Sequence, residues 1–255
     1  DSVARTQKTF KFNLIAMAVV SAMTVMAAER VNAQVTAKGG CNDYTPTQGQ
    51  VVSCDDKLTT ATTGVQTPKK DTTVNNVTVN VLTADTVLSV NGSTIGLGSG
   101  SSVTNEGTLF TQSFRYGYGI SAGINGRSTA GGNTFNNQAS GVVSTKGSDA
   151  HGMYVNAKQS DAAANGITNR GSVTTTGDRS DGIRLYTQTG TASDFILNVG
   201  SITTSGEDAS GVHVQNTQAV TGTNLLIDND GTITVNDKSG YGIYIEGAAN
   251  VINSG

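Results

Sequence analysis

The sequence has few of the residues from which disordered chains and helical domains are built. Of its 255 residues only 14% are charged, 2 are Pro and none is Trp. Disordered chains usually contain more charge and more proline, and a long helical domain would require more Leu, Glu, Lys and Ala. Neither class fits this composition.

Positive charge is also scarce once the first 33 residues are set aside. Residues 34–255 contain 12 Lys and Arg against 17 Asp and Glu, without a basic cluster. Binding to nucleic acid depends on cations that neutralise phosphates, so we expect no nucleic-acid partner. After residue 33 there is no apolar run long enough to span a bilayer as a helix.

The residues that are plentiful are those of short strands and tight turns. The chain contains 32 Gly, and its aliphatic residues are mostly Val and Ile in a background of Thr, Asn, Ser and Gly. β-Branched residues favour strands, whereas Gly, Asn and Ser favour turns. The composition predicts an all-β protein.

Residues 1–33 have the features of a secretory signal peptide. Basic residues precede the apolar run 14–28, and small residues at 31–33 offer a cleavage site after Ala33. The alternative is a transmembrane anchor, but the run is shorter than the roughly 20 residues that a spanning helix requires. We therefore predict an exported protein.

A repeat of 17 residues dominates the second half of the chain. Its three clearest copies, 169–185, 198–214 and 229–245, align without a gap. Each has Asn first, Gly third, Thr sixth and Gly fourteenth, with aliphatic residues at the fifth, fifteenth and seventeenth places. A degraded copy starts at Asn105 and a further copy at Asn253. Such repetition indicates a solenoid.

Aliphatic residues alternate within each copy, as on one face of a strand. A strand that is apolar on one face needs a neighbour, so successive copies should stack about 4.8 Å apart as turns of a coil. The pattern predicts a right-handed parallel β-helix over 105–255. Gly at the third and fourteenth places should supply bends or positive φ. The recurring Asn should form a ladder of side-chain amides, with the members Asn169, Asn198, Asn229 and Asn253.

Residues 34–104 fit the repeat poorly and are predicted to form an irregular N-terminal segment with the cap of the β-helix. Within them, 74–90 alternates like a strand and should supply the cap or the first turns. Cys41 and Cys54 lie 13 residues apart. In an oxidising compartment such a pair most simply forms one disulfide that closes a small loop, with little effect on the β-helix behind it. Metal binding is the alternative.

A signal peptide, an irregular segment and turns of the form N-x-G-[ST]-[VI] followed by G-[IV]-x-[VIL] resemble the passenger region of autotransporter (type V secreted) proteins of Gram-negative bacteria. The resemblance covers 1–33 and 105–255. It implies a pertactin-like β-helix that is exported through the periplasm, is displayed at the outer membrane or released outside the cell, and often acts as an adhesin.

Two features of that family are absent from these 255 residues. The family implies a C-terminal translocator barrel, and some members carry an Arg-Gly-Asp triplet for host cells; the nearest triplet here, 125–127, is interpreted as a turn. The chain ends at 253–255, where another Asn-x-Gly corner begins. We therefore expect further turns, followed by the barrel, in the complete protein.

β-Helices also occur in polysaccharide lyases and hydrolases, which need clustered carboxylates, or Asp with Arg or Lys, on one exposed face. The candidates are Asp149, Asp181, Asp208, Arg179, Glu207 and His151. They do not share one place of the repeat, and we interpret them as solvated residues of turns. The two His residues lack partners at triad or metal spacing, and 228–230 lacks the other ligands of a calcium loop. We predict no catalytic residue, metal or cofactor.

One outward place of the repeat forms a stripe. It holds Tyr154, Arg184, His213 and Tyr244, which would stack about 4.8 Å apart as an exposed aromatic and cationic surface. Such a stripe suits contact with a sugar or a protein; alternatively, Tyr favours strands and the other residues aid solubility. The predicted function is a structural stalk and adhesin for a host-surface glycan or matrix protein. The alternative is an extracellular carbohydrate-active enzyme.

Overall fold

The computed structural model describes residues 40–55, 59–61, 64–83, 86–124, 127, 131–157, 163–187, 193–216 and 225–255. The predicted signal peptide lies outside these ranges. Within them the chain forms 22 strands and no helix. None of the described residues therefore belongs to a helix with the length and apolar character needed to cross a membrane.

The strands are numbered in chain order, and every third strand belongs to the same parallel sheet. Sheet A contains β1 (Val51–Cys54), β4 (Thr78–Val81), β7 (Ser102–Asn105), β10 (Thr134–Asn137), β13 (Gly166–Asn169), β16 (Phe195–Asn198), β19 (Leu226–Asn229) and β22 (Asn250–Asn253). Sheet B contains β2 (Thr59–Ala61), β5 (Thr86–Ser89), β8 (Thr108–Thr111), β11 (Val142–Thr145), β14 (Ser172–Thr175), β17 (Ser201–Thr204) and β20 (Thr232–Val235). Sheet C contains β3 (Val65–Gln66), β6 (Ile95–Leu97), β9 (Ile120–Ala122), β12 (Met153–Ala157), β15 (Ile183–Thr187), β18 (Val212–Asn216) and β21 (Ile243–Glu246).

The chain passes through sheets A, B and C in turn, and each turn pairs with the next so that equivalent places of the repeat meet. Asn169 pairs with Asn198 in sheet A, and Val173 pairs with Ile202 in sheet B. Strands that repeat at every turn and pair in parallel make a β-solenoid. The predicted parallel β-helix is confirmed.

The core is a set of aliphatic columns that run along the coil. Alternate side chains of each strand point inward, because successive residues of a strand face opposite sides. In sheet A one such column contains Ile167, Ile196 and Ile227, each with 0% of its surface exposed. At roughly 1.5–3 kcal/mol for each buried aliphatic side chain, these columns are the main source of stability.

The coil extends upstream of the boundary predicted at residue 105. Strands β1 to β6 lie within the segment 34–104, and β4 pairs in register with β7, so that Val79 meets Val103. The segment 74–90 supplies β4 and β5. These early turns keep the alternation of aliphatic residues, and Gly64 occupies the fourteenth place before β3. They lack the Asn and the third-place Gly of the repeat, which is why they fit its sequence pattern poorly.

Residues 40–44 cover the N-terminal end of the coil. Cys41 pairs antiparallel with Cys54 of β1 and forms a disulfide with it. The backbone N–H of Gln66 in β3 donates to the carbonyl of Tyr44 at 2.9 Å. Cys41 and Cys54 are 1% and 0% exposed and belong to the core. The disulfide is therefore part of the first turn, not of a loop ahead of it.

The side chains of the last described turn are more exposed than those of the turn before it. The inward side chains of Ile233, Ile243 and Ile245 are only half-buried, and Val251 is 45% exposed. Their counterparts one turn earlier, such as Ile202 and Val212 (each 0% exposed), are enclosed on both sides.

The glycines at the third and fourteenth places of the repeat lie at bends, which is the first of the two predicted alternatives, and they do not adopt positive φ. They also allow close packing between turns. A Cβ on Gly200, at the third place, would lie 2.1 Å from the carbonyl oxygen of Gly171. A Cβ on Gly182, at the fourteenth place, would lie 2.3 Å from the Cγ2 of Ile202. Neither glycine has a positive φ. The connections from sheet C to sheet A after β15 and after β18 include residues 188–192 and 217–224, which lie outside the described ranges.

Candidate functional site

The outer face of sheet C and the corner before it hold most of the residues that the sequence singles out. Three columns run there along the coil. The ridge, on the corner, consists of Tyr116, Asp149, Arg179 and Asp208. The inner column lies next to it and consists of Tyr118, His151, Asp181, Ser210 and Tyr241. The stripe lies on the sheet and consists of Tyr154, Arg184, His213 and Tyr244.

The stripe is in register, as the repeat predicts. Tyr154 pairs with Arg184, Arg184 with His213, and His213 with Tyr244. The whole stripe is less exposed than expected, because Tyr154 and Tyr244 are half-buried and the side chains of Arg184 and His213 are only 25% and 12% accessible. They lie against the inner column, and only one of its members, Tyr241, is largely exposed.

Asp181 organises the middle of this face. Its Oδ2 accepts a hydrogen bond from Nδ1 of His213 at 3.0 Å, and its Oδ1 accepts one from the backbone N–H of Ser210 at 2.9 Å. Nη1 of Arg184 lies 3.6 Å from the same Oδ2. With its side chain 3% exposed, Asp181 is a buried carboxylate that fixes the position of two stripe residues.

His151 is a second buried titratable group of the face, with 4% of its surface exposed. The backbone N–H of Asp181 donates to its Nδ1 at 3.0 Å, and Nη1 of Arg184 lies 3.3 Å from its Nε2. Burial lowers the pKa of His151 to about 3, against the opposing effect of Asp181. The ring is therefore neutral at pH 7 and serves as a packing and hydrogen-bonding group.

Aromatic rings close both ends of the face. At the upstream end the ring of His151 lies 5.6 Å from Tyr118 and 5.1 Å from Tyr154, centre to centre. Burial raises the pKa of both tyrosines, which stay protonated at neutral pH. At the downstream end Tyr241 stacks on Tyr244 with ring centres 5.1 Å apart. Ring pairs at these distances are attractive, so the face is a preformed surface.

The ridge has an unusual backbone. Tyr116, Asp149, Arg179 and Asp208 have φ values of 54°, 52°, 53° and 56°, so the same left-handed corner recurs over four turns without glycine. Asp tolerates this conformation better than Tyr or Arg does.

An ion-pair cluster spans the upstream half of the ridge. Asp149 accepts from Nε of Arg115 at 3.0 Å and from Nε of Arg179 at 2.9 Å, and Nη2 of Arg179 adds a bond at 3.1 Å. The bond from Arg179 has the largest effect in lowering the pKa of the Asp149 carboxyl, and Arg115 acts in the same direction. Asp149 is therefore ionised at neutral pH.

The carboxylates considered as catalytic candidates do not form one set. Asp149 and Asp208 belong to the ridge, whereas Asp181 and His151 belong to the inner column. Asp149 is paired with guanidinium groups and Asp181 with His213. Glu207 is exposed next to Asp208.

The asparagine ladder runs through the inner corner of sheet A. Each Nδ2 donates to the Oδ1 of the next turn, over 2.8 Å from Asn169 to Asn198, 2.6 Å from Asn198 to Asn229 and 2.7 Å from Asn229 to Asn253. Two upstream members, Asn105 and Asn137, extend it with bonds of 2.8 Å and 2.9 Å. The ladder is thus six residues long within the described turns.

The ladder has a direction and therefore an unsatisfied end. In the two turns before Asn105, the positions equivalent to the ladder asparagines are occupied by Val81 and Cys54. Val81 cannot donate to Asn105, and among the described residues the buried Oδ1 of Asn105 has no hydrogen-bond partner. A buried acceptor without a donor destabilises the fold by about 1–3 kcal/mol.

Sequence inspection missed a second polar column, four residues before the first. Nδ2 of Asn133 donates to Oδ1 of Asn165 at 3.1 Å, and Nδ2 of Asn165 donates to Asp194 at 3.1 Å. Burial raises the pKa of the Asp194 carboxyl, against the effect of these bonds. The sequence does contain a signal for this column, because an amide or carboxyl side chain stands four residues before each of Asn137, Asn169 and Asn198.

Arg127, which the sequence placed in a simple turn, is also a buried residue. It is 2% exposed and reaches back to the first turns, where its Nη2 donates to the carbonyl of Thr67 at 2.8 Å and to Oε1 of Gln66 at 3.2 Å. Burial lowers its pKa to about 10. No local pattern marks this contact, which joins residues 60 positions apart.

The described residues include no group of three or more His, Cys, Asp or Glu arranged to hold a metal ion. The triplet 228–230 contributes Asp228, which faces outward from β19, and Asp230, which accepts from the hydroxyl of Ser254. Comparison with protein-family models, with curated proteins and with solved structures gave no match to this chain.

Proposed function

We propose that this protein is an exported β-solenoid that acts as a structural stalk and adhesin at the surface of a Gram-negative bacterium or after release from it. Export is supported by the signal-like residues 1–33, and the bacterial surface by the resemblance to autotransporter passengers. The stalk role is supported by inter-turn pairing in three sheets and by the amide ladder, which together link successive turns along the coil.

The single observation that carries the adhesin role is the face formed by the stripe and the inner column. Its side chains are fixed in the free protein by Asp181 and by ring stacking, so little conformational entropy is lost when a partner binds. Tyrosine and arginine are also the side chains most often found at energetic centres of interfaces. A host-surface glycan or matrix protein is the proposed partner.

The adhesin role is tested by probing glycan and matrix-protein arrays with the purified protein. We expect a specific ligand whose affinity falls at least about tenfold, equivalent to 1.4 kcal/mol, in Tyr154→Ala and Tyr244→Ala. Thr203→Ala, on the outer face of sheet B, is the matched control and should bind normally. Absence of any ligand, or equal binding by all variants, would contradict the adhesin role.

Surface display is tested separately, with antibodies on intact cells. Labelling without permeabilisation, or recovery of the protein from the medium, is the expected result. Retention inside the cell would overturn the localisation.

A carbohydrate-active enzyme is the competing function, and the observation that favours it is the 3.0 Å pair between Asp181 and His213. Against it, both carboxylate oxygens of Asp181 are already bonded and its side chain is nearly inaccessible. Incubation with a panel of polysaccharides should release no new chain ends. Turnover that disappears in Asp181→Asn would establish the enzyme and exclude the non-enzymatic role.

A further inference from the structure

The ridge has a backbone that glycine would suit better. Tyr116 and Arg179 have φ values of 54° and 53°, a region in which a Cβ atom is crowded and which glycine enters freely. Backbone strain of this kind concentrates at functional sites. Substitution of these residues by glycine would relieve the strain. The presence of Tyr and Arg at a strained corner therefore indicates that their side chains have a function there.

The side chains at the upstream end of the ridge present cationic groups to solvent. Arg115 and Arg179 are 53% and 54% exposed, and Asp149 lies between them at 19%. The carboxylate of Asp149 accepts hydrogen bonds from Nε of both arginines and from Nη2 of Arg179. It therefore holds the two guanidinium groups side by side. Among the described residues only Asp149 accepts side-chain hydrogen bonds from these two arginines, so their other N–H groups can bind a second anion. A guanidinium fork is well suited to an anion.

Aromatic rings stand next to these cations. The guanidinium carbon of Arg115 lies 4.6 Å from the ring centre of Tyr116, which is 49% exposed. Phe114 is 92% exposed, the most accessible large apolar side chain in the described residues. An apolar ring beside a cation offers a stacking surface for a ligand that is both flat and charged.

Charge differs between the two ends of the ridge. Upstream, two guanidinium groups face one carboxylate, although the chain as a whole has a net charge of −3. Asp178, whose negative charge acts on the neighbouring Arg179, lies at the edge of this cluster, and further downstream the exposed side chains of Glu207 and Asp208 are both acidic. The upstream end, which carries both guanidinium groups, is therefore more favourable for an anionic ligand than the downstream end, where these two carboxylates are exposed.

The backbone N–H groups of the ridge are not available to pair with a peptide strand. The N–H groups of Tyr116, Asp149 and Arg179 donate to carbonyl groups of the next turn at 3.1, 2.9 and 2.7 Å. A peptide that adds to a protein through main-chain bonds needs a free strand edge, and the ridge has its main-chain donors occupied. Side-chain recognition of a sugar does not need one.

We propose that Phe114, Arg115, Tyr116 and Arg179 form a binding site for a glycan that carries carboxylate groups, such as a polymer of uronic acid. The sugar carboxylate pairs with the two guanidinium groups, and a pyranose ring lies on the aromatic side chains. This proposal rests on the adhesin function proposed above and gives it a ligand class, at a site separate from the stripe.

Binding of oligogalacturonate to the whole purified protein, measured by calorimetry at fixed salt, tests the proposal. The methyl ester of the same oligosaccharide removes the charge and should not bind. Arg115→Gln and Arg179→Gly should each weaken binding at least tenfold. Arg170→Gln removes an exposed arginine from another corner, and it should leave the affinity unchanged.

Thermal unfolding of the same variants separates lost binding from lost structure. Arg179→Gly should unfold at the same or a higher temperature than the original protein, because glycine relieves the left-handed corner. Loss of binding together with undiminished stability supports a binding role for the side chain. A protein that unfolds at a markedly lower temperature would show that Arg179 is structural and would overturn its role in the site.

Three further outcomes would also overturn the proposal. They are no binding of oligogalacturonate, equal binding of its methyl ester, and equal binding of a glutamate-rich peptide, which would make any anion sufficient. If arrays then reveal a neutral glycan or a matrix protein whose binding depends on Tyr154 and Tyr244, the ridge site fails while the adhesin function stands. If they reveal no ligand, both fail.

Discussion

The first two turns of the solenoid and the turns that follow share one backbone geometry but fill the inner corner of sheet A with different chemistry. Upstream, that column holds Cys54 and Val81; downstream it continues with six asparagines. The upstream end is enclosed by the disulfide-linked segment 40–44.

The difference shows that the coil and the ladder are separate properties. Alternation of aliphatic residues is enough to continue the coil through β1 to β6, where the column holds no amide. An amide ladder adds bonds between turns, but because it is directional it leaves an acceptor, Oδ1 of Asn105, where it meets Val81. At the N-terminal end the disulfide links two chain segments. In the later turns the amide ladder links successive segments in its place.

Removal of the disulfide should have the largest effect of the changes that separate these two regions. The double variant Cys41→Ala, Cys54→Ala should destabilise the first turns by about 3 kcal/mol, the loop-closure value for a ring of this size. Because turns of a solenoid unfold semi-independently, hydrogen exchange should accelerate in β1 and β4 but not in β14. Reductant should have no effect on the double variant. Unchanged exchange in β1 would show that the cap does not depend on the disulfide.

Interruption of the ladder should come next. Asn198→Leu removes the acceptor of Asn169 and the donor to Asn229, and we expect a loss of about 2 kcal/mol because buried amide groups are left unpaired. Urea unfolding measures the change, with the outward Thr203→Ala as control. A loss no larger than that of the control would mean that the ladder contributes nothing to stability.

A single isosteric change should have opposite effects at two places in β4. Val81→Thr places a hydroxyl donor opposite Oδ1 of Asn105 and should stabilise the protein by up to about 1 kcal/mol. Val79→Thr buries the same hydroxyl between Val52 and Val103, which offer no acceptor side chain, and should destabilise it by about 1–3 kcal/mol. Urea midpoints compare the two directly. The same sign for both would contradict the unsatisfied ladder end.

The smallest effect is expected in the second polar column, and it depends on pH. Burial raises the pKa of the Asp194 carboxyl in the folded state. The protonated carboxyl therefore stabilises the fold fully below the pKa of the unfolded chain, near 3.9. This stabilisation is lost as pH rises through the pKa of the folded state. Asp194→Asn should therefore raise the urea midpoint at pH 7 and lose this advantage below about pH 4. An advantage that is independent of pH would exclude ionisation of Asp194 as its cause.

Much of the fold was predictable from the repeat, because its period fixes which residues meet across turns. The inward aliphatic columns, the pairing of Asn169 with Asn198 and the register of Tyr154 with Arg184 all follow from aligning the copies. The first turns were harder to identify, since they keep the alternation and not the consensus. Arg127 was missed because its partners are distant in sequence.

The sequence by itself determined the coil, its inward columns and the places at which polar residues recur, since these depend only on a period of two within strands and on the interval between copies. The tertiary structure decided which polar side chains interact, because that depends on how each corner bends. The left-handed corner places Asp149 between Arg115 and Arg179, and the adjacent column brings Asp181 to His213. Corner geometry arises from packing between turns, where the absence of a Cβ at the repeated glycines sets how closely the backbone can approach, and no single copy of the repeat contains that information.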